Sequence, residues 1–292
     1  MARSRLGIIG GSGVYDLPGL KGARWEHVPT PWGEPSDQLH FGELDGLELV
    51  FLPRHGRGHR LPPGAINYRA NIDALKRVGV TDVVSLSAVG SFREALSPGT
   101  FVLVDQFIDR TFAREKSFFG PGCVAHVAFA DPVSPGLADL VEAAARAESI
   151  PVIRGGTYLA MEGPQFSTRA ESLLYRSWGC DVVGMTNMPE AKLAREAELC
   201  YCVVAMVTDY DCWHPDHGDV DVPSILRIVA DNADKARRLV ERLARDFPRE
   251  HPPCPIGSDR ALETAIVTAP AARDPDLLVK LDAVAGRVLG RS

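Results

Sequence analysis

Seven short apolar runs, at positions 6–9, 47–52, 80–86, 101–104, 158–161, 181–183 and 201–207, divide the chain. Short, nearly uncharged runs bounded by polar residues predict β-strands, and the stretch 199–207, which carries no charge, predicts one buried on both faces of its sheet. Segments of helical spacing separate many of them. Residues 67–78 place Ile72, Leu75 and Val78 on one face and stop at Gly79. Ser134-Pro135 opens a second helix with Leu137, Leu140, Val141 and Ala144 on one face. Thr168-Arg169-Ala170-Glu171 matches a capping box and predicts a third helix, carrying Leu174 and Trp178 and ending at Gly179. Pro189 starts a fourth with Leu193 and Ala197, and 224–247 forms a long fifth with Ile225, Ile228, Val229, Leu239 and Leu243. Such alternation predicts an α/β fold, a single domain over 1–292 whose central sheet is flanked by helices on both faces.

Two stretches stand apart. Residues 112–133 hold Gly120-Pro121-Gly122 and little periodicity, which predicts a long excursion carrying His126 outward. The Pro-rich segment near 248–258 predicts a linker to a C-terminal helix that starts close to Pro275. Composition adds limits. With 45% hydrophobic and 24% charged residues the chain is ordinarily globular, and a net charge of −6 with scattered Lys and Arg offers no field for gathering nucleic acid. A small ligand is expected, and neither a signal peptide nor a membrane-spanning run is visible, so the expected location is cytoplasmic. The six cysteines lack metal-site spacing and are expected to be reduced core residues, Cys200 and Cys202 sharing one face of their strand.

Ligands of wound α/β sheets gather beyond the carboxyl ends of the strands, and five such ends here carry polar chemistry. Thr208-Asp209-Tyr210-Asp211 ends the last strand, and in an extended continuation the period of two turns Asp209 and Asp211 to one side, where they can grip one polar heterocycle. Taken alone, a D-x-D is more often a polar loop with Asp211 capping a turn. Gly10-Gly11-Ser12-Gly13 lets a backbone approach an anion, or makes a tight turn. Arg54-His55-Gly56-Arg57-Gly58-His59 concentrates donors, and a guanidinium fork matches phosphate bidentately. His55 and His59 lack the third ligand a metal needs, so no metal is expected there. Ser85-Leu86-Ser87-Ala88 and Gly184-Met185-Thr186-Asn187 bring hydroxyls to two further ends, where Ser87 can complete a phosphate cradle.

In combination these blocks resemble the methylthioadenosine phosphorylase branch of the trimeric purine nucleoside phosphorylases. The resemblance spans nearly the whole chain and rests on Gly7-Ile8-Ile9-Gly10-Gly11-Ser12-Gly13, Pro53-Arg54-His55-Gly56-Arg57, Asn67-Tyr68-Arg69-Ala70-Asn71, Asp105-Gln106-Phe107-Ile108-Asp109-Arg110-Thr111, Glu162-Gly163-Pro164-Gln165-Phe166-Ser167 and Thr208-Asp209-Tyr210-Asp211-Cys212-Trp213, in the family's order. It implies the nucleoside phosphorylase fold, with a mixed sheet, and a homotrimer with sites at subunit interfaces. It implies no cofactor, inorganic phosphate being a co-substrate. Ser12, Arg54, His55, Ser87 and Thr186 would hold phosphate. Met185 would pack on the ribose. Ala88, Phe166, Ser167 and Thr208 would line the nucleoside site, and Asp209 and Asp211 would read the base. Val220, Val222 and Ile225 match the apolar pocket for a 5′-methylthio group, and His126 would reach into a neighbour's site. Ser12 and Ser87 stand where many relatives have Thr. The activity implied is phosphorolysis of S-methyl-5′-thioadenosine, a 6-aminopurine nucleoside, with Asp209 as proton donor to N7; the alternative is a purine nucleoside phosphorylase of other specificity, for 5′-halogenated deoxyadenosine, methylthioinosine or 6-oxopurine nucleosides.

Overall fold

The computed structural model describes residues 2–11, 13–15, 17–215 and 222–290, without the side chains of 222–225. Its strands are β1 (Arg5–Gly10), β2 (Lys21–Glu26), β3 (Leu39–Leu44), β4 (Leu47–Pro53), β5 (Asp82–Ser91), β6 (Phe101–Leu103), β7 (Gln106–Asp109), β8 (Val152–Arg154), β9 (Thr157–Ala160), β10 (Val182–Gly184) and β11 (Cys200–Asp209). Its helices are α1 (Tyr68–Arg77), α2 (Pro135–Ala147), α3 (Arg169–Ser177), α4 (Asn187–Glu196), α5 (Val222–Asp246), α6 (Pro275–Lys280) and α7 (Asp282–Leu289).

All eleven strands join one mixed sheet, with β2-β3-β4-β1-β5-β10-β9-β7 as its main path and β11, β6 and β8 branching from β5. The branch arises because β5 is long. Along one edge it pairs in parallel with β11 over nearly its whole length. Along the other, its first half takes β1 in parallel, Leu6–Ile9 against Asp82–Ser85, and its end takes β10 antiparallel, Val183 against Gly90. Between Ser85 and Gly90 that edge belongs to neither strand, and the sheet forks.

Two apolar layers cover the sheet. Leu239, Val240 and Leu243 of α5 and Leu137 and Val141 of α2 pack with Ile8, Val84 and Val204 on one face. Ile72 and Leu75 of α1, Leu193 of α4 and Val284 of α7 pack with Ile9, Val83 and Val203 on the other. The helix starts follow their sequence signals: Asn67 Oδ1 accepts the Ala70 N–H, and Thr168 and Glu171 close the capping box of α3.

The structure also departs from expectation. Leu174 and Trp178 of α3 are exposed, and only Ser172 and Tyr175 of that helix are buried. The C-terminal helix is two, α6 and α7. The strand expected at 80–86 begins at Asp82 and continues to Ser91, because β11 pairs with the small residues Ser87, Ala88 and Gly90 that lack an apolar signature. All six cysteines are free thiols, and Cys200 and Cys202 lie in the same apolar layer, as their spacing requires.

One of the contacts that dock the excursion 112–133 on α4 is a buried carboxylate. Glu196 accepts from the Ser117 hydroxyl and the Phe118 N–H, each at 2.7 Å. Burial pushes its pKa up from 4.5 to about 7, against the pull of those two bonds. A carboxyl whose folded pKa is raised binds its proton more tightly in the folded chain, so folding stability falls as pH rises from 4.5 to about 7. Glu196→Gln keeps an acceptor for Phe118 and removes the titration. Urea unfolding is therefore expected to show the wild type losing stability relative to Glu196→Gln across that window; parallel pH profiles would refute the assignment.

Candidate active site

Arg54, the first residue beyond β4, runs beneath the fork and is 2% exposed. Its Nε and Nη2 donate to the two carboxylate oxygens of Glu190 at 2.8 and 3.2 Å, Nη1 donates to the Leu86 carbonyl at 2.9 Å, and Nη2 also donates to Ser85 Oγ at 2.5 Å. Burial works against the charge, but the Glu190 carboxylate outweighs it and holds the guanidinium protonated. Ser85 and Tyr201 hydroxyls donate to the same Glu190 oxygen at 2.5 and 2.8 Å, and Asn187 Nδ2 donates to both hydroxyls. The guanidinium fork expected to meet phosphate thus meets Glu190. Among the described residues, four of the five guanidinium N–H groups are engaged and one on Nη1 remains.

Beside it, Ser87 of β5 and Thr186 at the entrance to α4 bring their hydroxyls within 3.1 Å, and Tyr158 Oη stands 3.3 Å from Ser87 Oγ. Gly184 makes this possible, since a Cβ there would fall 1.9 Å from Tyr158 Oη. His55 Nδ1 lies 2.8 Å from the Leu61 carbonyl, which accepts the Nδ1 proton. Burial, reinforced by the Arg54 charge, lowers its pKa to about 4, so the ring is neutral and presents Nε2 as an acceptor. Its face stacks on His59 at 4.2 Å, and no metal-ligand set forms there among the described residues. Ser12 lies outside the described residues.

Ala88 marks the opening: it is exposed in the middle of an otherwise buried central strand. On its far side a bulge between Val207 and Asp209 breaks the β11 register. The chain does not continue extended as expected. Asp211 adopts φ 52°, and its N–H donates to Asp209 Oδ1 at 2.8 Å, so Asp209 rather than Asp211 caps the turn. Both aspartates nevertheless border Gly90, where a Cβ would lie 2.9 Å from Asp209 Oδ1 and 3.4 Å from Asp211 Cβ. The Thr208 hydroxyl donates to Asp209 Oδ2 at 2.7 Å. Burial raises the pKa of Asp209 over the pull of these hydrogen bonds, and burial with the neighbouring Asp209 charge raises that of Asp211, whose buried Oδ2 has no hydrogen-bond partner among the described residues. Asp209 is the more accessible of the two.

The loop after β9 closes the cluster. Cys212 Sγ lies 3.4 Å from the Ser167 carbonyl and Arg169 donates to the Cys212 carbonyl at 2.9 Å, which holds Phe166 and Ser167 beside the aspartate turn. Phe166 is 47% exposed. Met185 packs on Gly163, where a Cβ would sit 2.5 Å from its sulfur. Val220 lies outside the described residues, as do the side chains of Val222 and Ile225. His126 is exposed, its N–H bound to the Ala265 carbonyl. A shallow depression of about 490 Å³ between α3 and the end of β5, lined by Phe92, Leu173 and Arg176, contains none of these residues.

Sequence reasoning missed Glu190 and Arg114. Arg114, in the excursion, is 9% exposed and donates to the carbonyls of Met185, Met188 and Glu162 at 2.6–2.7 Å, to Tyr68 Oη at 3.0 Å and to the Glu162 carboxylate at 3.1 Å. One guanidinium therefore ties the chain ends after β9 and β10 together. Neither residue had a local signal beyond the preference for an acid in the first turn of a helix, which Glu190 satisfies.

Comparison with known proteins shows the family to which the chain is related. A sequence model described as the phosphorylase superfamily matches residues 5–247. The S-methyl-5′-thioadenosine phosphorylase of Bradyrhizobium diazoefficiens is 69% identical over 289 residues, covering 99% of each chain, and that of Geobacter sulfurreducens is 54% identical, covering 96% of this chain and 98% of its own. The crystal structure of a methylthioadenosine phosphorylase sourced from an antarctic soil metagenomic library superposes with a TM-score of 0.91 at 44% identity, covering 97% of this chain and 99% of that one. A methylthioadenosine phosphorylase from Schistosoma mansoni in complex with adenine gives 0.78 at 38% identity, covering 82% and 90%.

A lysine at position 114 keeps the charge but cannot span the two chain ends. Urea unfolding is expected to show Arg114→Lys less stable by about 1.5–3 kcal/mol, the contribution of hydrogen bonds to a charged group, with the circular dichroism of the folded variant unchanged. Wild-type stability in the variant would show that these bonds do not hold the two chain ends.

Proposed function

This chain belongs to the phosphorylase superfamily, and we infer that it is a pentosyltransferase catalysing phosphorolysis of S-methyl-5′-thioadenosine to adenine and 5-methylthioribose 1-phosphate, a salvage reaction. The observation that carries the reading is the fork itself. Arg54, Ser87 and Thr186 stand on one side of exposed Ala88 and the Asp209–Asp211 turn on the other, a separation that suits an anion attacking one face of a sugar while a base departs from the other.

On the phosphate side, the remaining Arg54 N–H and the Ser87 and Thr186 hydroxyls donate to the anion, while neutral His55 accepts from a phosphate hydroxyl through Nε2. We assign Ser12 to the same cradle on the strength of the motif. Holding a nucleophile in line can lower a barrier by roughly 7–11 kcal/mol at best. On the base side, Asp209 in its protonated form donates toward N7 as the C1′–N9 bond breaks, so that adenine leaves neutral. Asp211 accepts from the 6-amino group. A 6-oxo group is an acceptor and meets repulsion there, which favours adenine nucleosides.

We assign Met185 to the ribose and Phe166, Ser167 and Thr208 to the base, and, from the sequence match alone, Val220, Val222 and Ile225 to the 5′-methylthio group. We place the neighbour's His126 at that same end in a homotrimer. The exposure of His126 and of Phe112, 82% exposed on the same excursion, supports an interface there. Among the described residues no helix is long and apolar enough to cross a membrane.

Three measurements test the assignment. Adenine release from S-methyl-5′-thioadenosine is expected only when phosphate is present, with 5-methylthioribose 1-phosphate as co-product; release in phosphate-free buffer would identify a hydrolase. Asp209→Asn is expected to lower kcat about 10²–10⁴-fold with a smaller change in KM. Because the acid must be protonated, wild-type kcat should also fall as pH rises through the raised pKa of Asp209, and Asp209→Asn should lose that limb. Equal losses in kcat and binding would remove Asp209 from the acid role.

A further inference from the structure

At the end of the sheet opposite the fork, three chemically different donors converge. Asp82 opens β5 and Cys200 opens β11, and the two are register partners. His251 comes from the segment after α5, where its N–H donates to the Ala2 carbonyl at 2.9 Å. One ligand atom from each of Asp82, Cys200 and His251 lies within 4.8 Å of the other two. Asp82 is 5% exposed and Cys200 2%. Ser87, the nearest phosphate-side residue on β5, is five positions along the strand, about 16 Å at 3.3 Å per residue.

We propose that Asp82, Cys200 and His251 form a structural site for a divalent cation of the zinc type. The donor set is an oxygen, a sulfur and a nitrogen, the combination that borderline-soft, tetrahedral Zn²⁺ accepts and that Mg²⁺ and Ca²⁺ do not. Zinc bonds of about 2.0–2.3 Å separate tetrahedral ligand atoms by about 3.3–3.7 Å, so the observed spread needs little closure. His251 Nδ1 is already 3.0 Å from Asp82 Oδ2, and the Thr81 hydroxyl donates to that same oxygen at 2.7 Å, which orients the carboxylate. A further thiol, Cys254, neighbours Cys200 and has the Ser134 hydroxyl 3.4 Å from its sulfur.

Binding proceeds with a clear proton balance. The Cys200 thiol loses its proton to solvent, His251 coordinates as neutral imidazole through Nδ1 and gives up the proton it shares with Asp82, and Asp82 coordinates as carboxylate. One thiolate and one carboxylate neutralise the dication, so the buried centre carries no net charge from these three ligands. The cation would tie the starts of β5 and β11 to the segment 248–258, which otherwise reaches this corner through the His251–Asp82 contact and the His251 and Arg3–Glu250 backbone pairings.

The test uses the full-length protein dialysed against chelator and titrated with Co²⁺. One equivalent per chain should develop a thiolate-to-cobalt charge-transfer band with the strong visible bands of tetrahedral Co²⁺, bleached by Zn²⁺, and Zn²⁺ should raise the melting temperature. Cys200→Ser should abolish the charge-transfer band. His251→Asn, at the more accessible ligand, should weaken Co²⁺ binding at least about tenfold, the loss typical of removing even an outer partner of a metal ligand. Absence of the band in the wild type, its survival in Cys200→Ser, or an unchanged melting temperature with Zn²⁺ would overturn the proposal.

Discussion

A buried ion pair organises this protein. Arg54 and Glu190 are 2% and 1% exposed in their side chains, and the contact joins the end of β4 to the start of α4 beneath the point where β5 changes partners. Removing one member of such a pair costs about 3–5 kcal/mol, because the survivor is left charged in a low-dielectric interior. Ser85, Tyr201 and Asn187 complete the network, so β5, β11 and α4 are all registered against the same guanidinium. With four of its donors engaged, Arg54 can address a ligand in one direction only. Rigidity of this kind is what a catalyst that works by positioning requires.

The two sides of the fork are built from opposite materials. On the proposed phosphate side the groups are hydroxyls, an arginine and a neutral histidine. On the proposed base side two carboxylates share a confined space, and burial keeps their proton affinity high. Small residues separate and support the two. Gly184 makes room for Tyr158 under the hydroxyl pair, Gly90 makes room for the aspartate turn, and Ala88 between them leaves the opening clear. The β11 bulge then turns the carboxylates inward, a role such irregularities often play beside active sites.

Much of this was legible in the sequence. The apolar runs located the central strands, and the polar residues just beyond them located the site, because side chains at the carboxyl ends of a wound sheet must converge. The chain-order pattern of blocks then identified the family. Other parts were hidden for physical reasons. β2 is almost wholly exposed and carries Lys21, Arg24 and Glu26, β3 is interrupted by His40, Gly42 and Glu43, and β7 and β8 are only four and three residues long with polar ends, so their pairing is set by distant partners rather than by local pattern. Glu190 and Arg114 act through contacts far along the chain, to Arg54 and to the carbonyls after β9 and β10. The turn at Asp211 depends on a positive φ that no period-two reading anticipates. Asp82, Cys200 and His251 have no motif spacing at all, since the sheet alone brings them together.

On the proposed phosphate side, Arg54 serves by being held in place, not merely by being positive. Arg54→Lys retains charge and a donor but cannot bond Glu190, Leu86 and Ser85 together. Steady-state kinetics of the folded variant with phosphate varied should show the phosphate KM raised at least about tenfold, about 1.4 kcal/mol, with the nucleoside KM nearly unchanged. A phosphate KM equal to that of the wild type would contradict the account.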